Sequence, residues 1–233
     1  DIFLLANLYL MYKNPYAKLK PPLRQPYTEV YLVRHCNPDY RLEKKVGEKN
    51  MPLSGIGLEQ RKYLTKRLLL LEPAKAYASG LVRAQETGAL YSRKSGQSLL
   101  IDKRLDEIDW TDWHRIKYFN MTEKTREKKL TSYRTLDKEL DRMQTAARRA
   151  LADLFRRNRG KKIVIFTHGN FIKALITSVL NTDVIGFLSL EIFQSSITKL
   201  VIDRDGYIKI SYINDISHLP VAPDEDLFIT MKD

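Results

Sequence analysis

The sequence predicts an α/β fold: a three-layer sandwich in which a mostly parallel sheet carries helices on both faces. Three observations predict it. Apolar runs rich in β-formers, "EVYLVRH" (29–35) and "KIVIFTH" (162–168), lack the alternation of a half-exposed strand and read as strands buried on both faces. Helical patterns alternate with them. The clearest is "LDKELDRMQTAARRALADLFRRNRG" (136–160), where Leu136, Leu140, Met143, Ala147, Leu151 and Leu154 keep a three-to-four spacing. The chain, at 233 residues, is long enough to bury a core without staples and suits one domain, or one domain with an insertion.

The elements follow in order. "DIFLLANLYLMY" (1–12) is nearly all apolar but far short of the roughly 20 residues of a membrane span. It has no positive leader or small-residue cleavage site, so a docked N-terminal helix is expected. The chain begins at Asp1 rather than Met, so membrane association through this segment, or an anchor lying upstream, stays an open reading. "KLKPPLRQP" (18–26) is a proline-broken connector, which sets residues 1–27 apart from a domain over 28–220 and a tail over 221–233. After the first strand, "PLSGIGLEQRKYLTKRLLLL" (52–71) suits a helix starting near Ser54. "AKAYAS" (74–79) is a short second strand, and "GLVRAQETGALYSRKSG" (80–96) a helix stopped by Gly96. "IDKRLDEIDWTDW" (101–113) reads as a strand end or loop, and 114–135 is polar and unassigned. Gly160 ends the long helix; "KIVIFTH" and the helix "GNFIKALITSVL" (169–180) follow. "SITKLVID" and "YIKISYIN" then form two strands around a tight turn at Gly206.

Lys and Arg outnumber Asp and Glu by 40 to 28, a formal charge of +12. That is either a solvated basic surface or the mark of an anionic partner. No motif interleaves aromatic and basic residues, so nucleic acid is not the expected partner. One cysteine excludes an internal disulfide, so a cytoplasmic setting is expected. The four histidines, at 35, 114, 168 and 218, have no zinc spacing, and neither metal nor cofactor is expected.

Two strands end in the same chemistry, one in Arg34-His35 and the other in Thr167-His168-Gly169. Ligands of open α/β sheets bind beyond the carboxyl ends of strands, so adjacent strands would bring both imidazoles to one crevice. The helix that starts after His168 adds free N–H groups and a positive dipole end. The second strand ends near Ser79, with Arg83 four residues on. Two guanidinium forks, two imidazoles and a helix start make a pocket for a dianionic phosphoryl group. Cys36 is a weaker nucleophile candidate. Only four residues separate it from Arg41, and "NPDY" has no glycine to bend its amides around a phosphate.

These residues carry a resemblance to the histidine phosphatase superfamily, which includes phosphoglycerate mutases and many phosphatases. The family's Arg-His-Gly stands here as Arg34-His35-Cys36; its helix-start block as "LSGIGLEQ"; its S-x-L-x-R-A-x-x-T block as "SGLVRAQET". "LDEIDWTDW", "THGNFIKAL" and "NDISHL" follow in the family's order, within residues 28 to 220. The resemblance implies His35 as a nucleophile kept neutral by Arg34 and Arg83, with its second ring nitrogen tied to a carbonyl. Arg34, Arg83, His168 and Gly169 would bind phosphate, and Glu107 would be the proton donor. Cys36 departs from the family's Gly, and its Cβ is expected to crowd the phosphate or shift the backbone, or its thiol to confer oxidation sensitivity. His218 reads as structural, His114 as rim or exposed, and Trp110 and Trp113 as packing. The insertion at about 114–135 matches the family's lid; its Arg115, Lys117, Lys124, Arg126, Lys128, Lys129 and Arg134 suit a multiply anionic substrate or a solvated face. The implied activity is metal-independent hydrolysis of a small phosphorylated molecule or phosphoprotein through a phosphohistidine. "NPDYRLEKK" lacks the longer mutase signature, yet mutase-type phosphotransfer and a catalytically weak phosphate-binding module stay open as alternatives.

Overall fold

In a computed structural model the described residues are 23–108 and 134–220, with side chains from 138 on in the second stretch. The expectations for the N-terminal apolar segment, Trp110, Trp113, His114, the basic insertion and the tail lie outside them. Among the described residues no helix is long and apolar enough to cross a membrane.

The first apolar run forms β1 (Thr28–Arg34). The others form β2 (Lys75–Ala78), β3 (Leu99–Ile101), β4 (Lys162–Thr167), β5 (Ile197–Ile202) and β6 (Ile208–Asp215). They make one sheet in the order β3-β2-β4-β1-β5-β6. The first four strands of that order are parallel; β5 runs antiparallel to β1, and β6 to β5. The β1–β4 register runs from Glu29 opposite Lys162 to Arg34 opposite Thr167. Each strand's next residue is therefore a histidine, and His35 N–H donates to Thr167 O at 2.9 Å.

Because β1, β2 and β4 are buried on both faces, alternate side chains feed two cores. On one face Tyr31, Val33, Ala76, Ala78, Val164 and Phe166 pack under α1 (Gly55–Leu71) and α2 (Val82–Ser95). On the other, Val30, Leu32, Ile163 and Ile165 pack under α3 (Arg134–Arg157), α4 (Gly169–Leu180) and α5 (Val184–Ser189). The spacing read from the sequence is the reason α3 docks as it does: Leu140, Ala147, Leu151 and Leu154 are all buried. Truncating such a residue as Leu154 costs about 2–5 kcal/mol.

Some elements were not readable from the sequence. The segment expected as a strand end or loop starts at Ile101, the last residue of β3, and goes on into a 3-10 turn, Lys103–Leu105; the strand itself, Leu99–Ile101, was not read. Three residues are too few to show a period. The one-turn helix Glu43–Val46 and α5 are likewise too short to carry one.

Candidate active site

The carboxyl ends of β1, β2 and β4 converge, and the residues expected to act meet there. The rings of His35 and His168 lie 5.1 Å apart, centroid to centroid. His35 is 3% exposed and His168 fully buried. His35 Nδ1 donates to the Cys36 carbonyl at 2.8 Å, which leaves the lone pair on Nε2. Arg83 Nε–H donates to that Nε2 at 3.2 Å. Burial holds the His35 pKa well below its ordinary value, with the Arg34 and Arg83 charges adding to it. The arginines alone were expected to do this; the larger cause is the loss of water. His168 is pushed down for the same leading reason.

β2 positions His168 from below. Ser79 Oγ accepts the Leu81 N–H at 3.0 Å and meets His168 Nε2 at 2.7 Å. That leaves the Ser79 proton free for Nε2, and the tautomer in which Nε2 accepts it carries the imidazole proton on Nδ1. His168 Nδ1 and Arg34 Nε are both buried without a hydrogen-bond partner, so each has a proton to offer an oxyanion. Arg34 is anchored elsewhere: its Nη1 donates to Ile192 O and lies 3.9 Å from Glu191 Oε1.

Gly169 lies against that arginine. A Cβ there would sit 3.4 Å from Arg34 Nε and 3.5 Å from Cζ, ordinary van der Waals contact with the guanidinium face, so the two pack closely. The α4 start was expected to offer its amides to an anion. Instead Asn170 N–H donates to Glu107 Oε1 at 3.1 Å, because a carboxylate of the chain already occupies that positive end. Ile108 N–H adds a second bond at 3.0 Å, and the Asn170 side chain fixes Ile108 O at 3.1 Å. Burial nevertheless raises the Glu107 pKa above the ordinary carboxylate value, against the pull of the Ile108 amide and of Arg34 and Arg83. Asp106, its neighbour, accepts the Gly80 N–H at 2.6 Å and so has a backbone task.

The family-like blocks now have physical causes. Ser54 caps α1 by accepting the Gly57 N–H at 3.1 Å. A Cβ on Gly57 would fall 2.1 Å from the Asn37 carbonyl oxygen, so only glycine lets α1 press against the turn after His35. Gln60 Oε1 accepts the Asn37 N–H at 2.8 Å. Thr87 accepts the Cys36 N–H at 2.9 Å and donates to Arg83 O at 2.7 Å, linking the end of β1 to the helix that carries Arg83.

Cys36 does not crowd the pocket. It is fully buried in the core under α1, and its φ is not positive. Burial pushes the thiol to about 11, so little thiolate exists to be oxidised, contrary to the expected sensitivity. His218 stands apart, its Nε2 3.1 Å from Ser195 Oγ.

Ser79, Thr87, Asn170, Glu48 and Glu191 were not singled out in the sequence. Ser79 and Thr87 fall inside recognised blocks, which was the available signal; Glu48 sits in a charged run that looks solvated. Beside Arg34 a cleft of about 770 Å³ opens, lined by Asn37, Tyr40, Arg41, Phe193 and Gln194. It is large enough for a small-molecule leaving group.

A family model described as the histidine phosphatase superfamily (branch 1) matches residues 30–216. Among curated relatives, phosphoglycerate mutase-like protein 4 of Arabidopsis thaliana is 30% identical over 183 residues, covering 68% of this chain and 78% of that protein. A protein named "Probable phosphoglycerate mutase GpmB", from an Enterobacter species, is 22% identical over 211 residues, 85% of this chain and 98% of its own length. Among solved structures, a phosphoserine phosphatase from Entamoeba histolytica in complex with 3-phosphoglyceric acid superposes with a TM-score of 0.64 at 20% identity, covering 82% of this chain and 99% of that one.

Proposed function

The chain belongs to the histidine phosphatase superfamily, and from that premise we propose that it is a metal-independent phosphomonoesterase acting through a phosphohistidine on a small phosphorylated molecule or phosphoprotein. The observation that carries the reading is the state of His35. Its proton is fixed on Nδ1 by the Cys36 carbonyl, its pKa is depressed, and its Nε2 faces the arginine-lined hole.

The phosphoryl group would sit between His35 Nε2, Arg34 Nε, Arg83 and His168 Nδ1. The Nε2 lone pair attacks phosphorus while the bond to the leaving oxygen breaks. Glu107, whose pKa burial raises toward the range of a proton donor, gives that oxygen a proton and releases an alcohol. The Glu107 carboxylate then takes a proton from water, whose oxygen attacks phosphorus. The N–P bond breaks, the lone pair returns to Nε2, and inorganic phosphate leaves. Arginine and imidazole donors already aimed at the equatorial oxygens supply most of the stabilisation. Because these groups carry the charge, the reaction as written asks for no metal.

A quenched reaction with 4-nitrophenyl phosphate should leave one phosphate on the peptide containing His35, seen by mass spectrometry under mildly alkaline handling. An unmodified His35 peptide during active turnover would refute the phosphohistidine. The names of the curated relatives favour a second reading, mutase-type transfer, in which the phosphoryl group returns to a substrate hydroxyl rather than to water. Product analysis separates the two: a mutase interconverts phosphoglycerate isomers and releases little phosphate, whereas the hydrolase releases phosphate from both. A phosphate-binding module would show neither product.

A further inference from the structure

Arg83 is held at both edges. Its guanidinium is buried, 5% exposed in the side chain, and its inner nitrogen Nε donates to His35 Nε2. Both outer nitrogens go to one residue of the loop before α1. Nη1 donates to the backbone carbonyl of Glu48 at 2.8 Å, and Nη2 to its Oε1 at 2.8 Å. Glu48 comes from a 3-10 turn, Glu48–Asn50, whose start is fixed by Asn50 N–H donating to Gly47 O at 3.1 Å. Its side chain is half exposed and reaches inward to make this contact.

We propose that Glu48 is the positioning residue for Arg83; the inference rests on the phosphatase reading above. A guanidinium is a planar fork, so pinning one edge fixes the direction of the other. With carbonyl and carboxylate on the Nη1–Nη2 edge, the Nε edge points to the volume beside His35 Nε2, where the phosphoryl oxygens arrive. Arg34 is tethered by similar logic, through Ile192 O and Glu191, but there the carboxylate is 3.9 Å away. The Arg83 clamp has the closer carboxylate, and both of its contacts arise from a single residue. It also gives a buried cation a counter-charge when no phosphate is bound. Glu48 touches neither substrate nor nucleophile and acts only through Arg83.

The test is a double-mutant cycle on the full chain, with kcat and KM for 4-nitrophenyl phosphate, phosphate affinity by calorimetry, and the thermal midpoint to confirm folding. Glu48→Ala should lower kcat/KM on the order of 10-fold to 100-fold, chiefly in kcat, since a misaimed donor is felt most in the transition state. Glu48→Gln, which keeps the acceptor oxygen, should recover most of the loss. In an Arg83→Lys background, where no fork exists to aim, Glu48→Ala should have little further effect. An equal loss in both backgrounds would overturn the proposal, because Glu48 would then merely brace its loop. Tighter phosphate binding by Glu48→Ala would overturn it too, since Glu48 would then be a competitor for Arg83. If Arg83→Lys itself left turnover intact, the phosphatase reading of the site would fall first and this inference with it.

Discussion

The parallel strands β3-β2-β4-β1 and the antiparallel pair β5–β6 belong to one sheet but carry different loads. The parallel half places His35, Ser79 and His168 at three adjacent carboxyl ends, with Arg83 and Glu107 on the segments that follow. The antiparallel half contributes no group to that cluster and instead braces it. Ser195, at φ 66°, donates its N–H to Arg34 O at 3.1 Å and shares its hydroxyl with His218. Parallel pairing brings the carboxyl ends of neighbouring strands together and so concentrates chemistry there; in this sheet the antiparallel pair supports that edge.

The largest test of that division compares two histidines. His35→Ala should cut turnover by roughly 10⁴-fold or more while the protein still unfolds cooperatively, because it removes the proposed nucleophile. His218→Ala should leave kcat within a few-fold and lower stability by about 1–2 kcal/mol, the cost of stranding the Ser195 hydroxyl. Activity assays beside urea unfolding read both. A catalytic collapse in His218→Ala with unchanged stability would erase the distinction.

Next comes Glu107→Gln. In the proposed mechanism the wild type needs Glu107 protonated for the first step, and burial raises its pKa. kcat/KM should therefore fall as pH rises through that raised pKa, while His35, with its pKa depressed, stays neutral well into acid. The Gln variant should lose about 10²-fold or more and show no such falling limb beyond that of the substrate itself. An unchanged limb would assign it to another group.

A third test concerns stability, and here both halves contribute. His35, His168 and His218 all have folded-state pKa values below their unfolded ones, His218 at about 4. Below about pH 6.5 the unfolded chain then binds more protons than the folded one, so stability should fall as pH drops. For His218 the loss runs from about 6.5 to about 4. Glu107, with its pKa raised, works in the opposite sense but is one group against three. Thermal midpoints across pH 7 to 4 should decline, and His218→Asn should flatten part of the slope.

What could be read in advance follows the same line. The strand-end histidines and Arg83 were legible because parallel strands end where ligands bind, and because Arg83 falls at the start of the helix that follows the second strand. The Thr87 bond to the Cys36 amide, the Ser79 bond to His168 and the Glu48 clamp were not. Each joins residues 35 to 89 positions apart through a polar side chain that looks interchangeable in the sequence. Nor could the sequence show that burial outweighs the arginines in depressing His35, since burial is a property of the assembled core. Cys36 was legible as a departure but not in direction: a sequence does not show which face of the chain its Cβ takes.

That last point gives the smallest expected effect and the finest comparison, made within one turn. Cys36 adjoins His35 in sequence, yet its side chain belongs to the core cluster that includes Val33, Leu64 and Leu68. Cys36→Gly should leave kcat near wild type, since Thr87 still receives the backbone N–H, and lower stability by about 1–2 kcal/mol through lost packing and added chain freedom. Iodoacetamide should leave the folded wild type unlabelled at neutral pH and modify it after denaturation, as a thiol with a pKa of about 11 and no exposure requires. Rapid labelling of the native protein, or a large rise in kcat on restoring glycine, would put the sulfur in the phosphate pocket after all and move this residue from the core into the site.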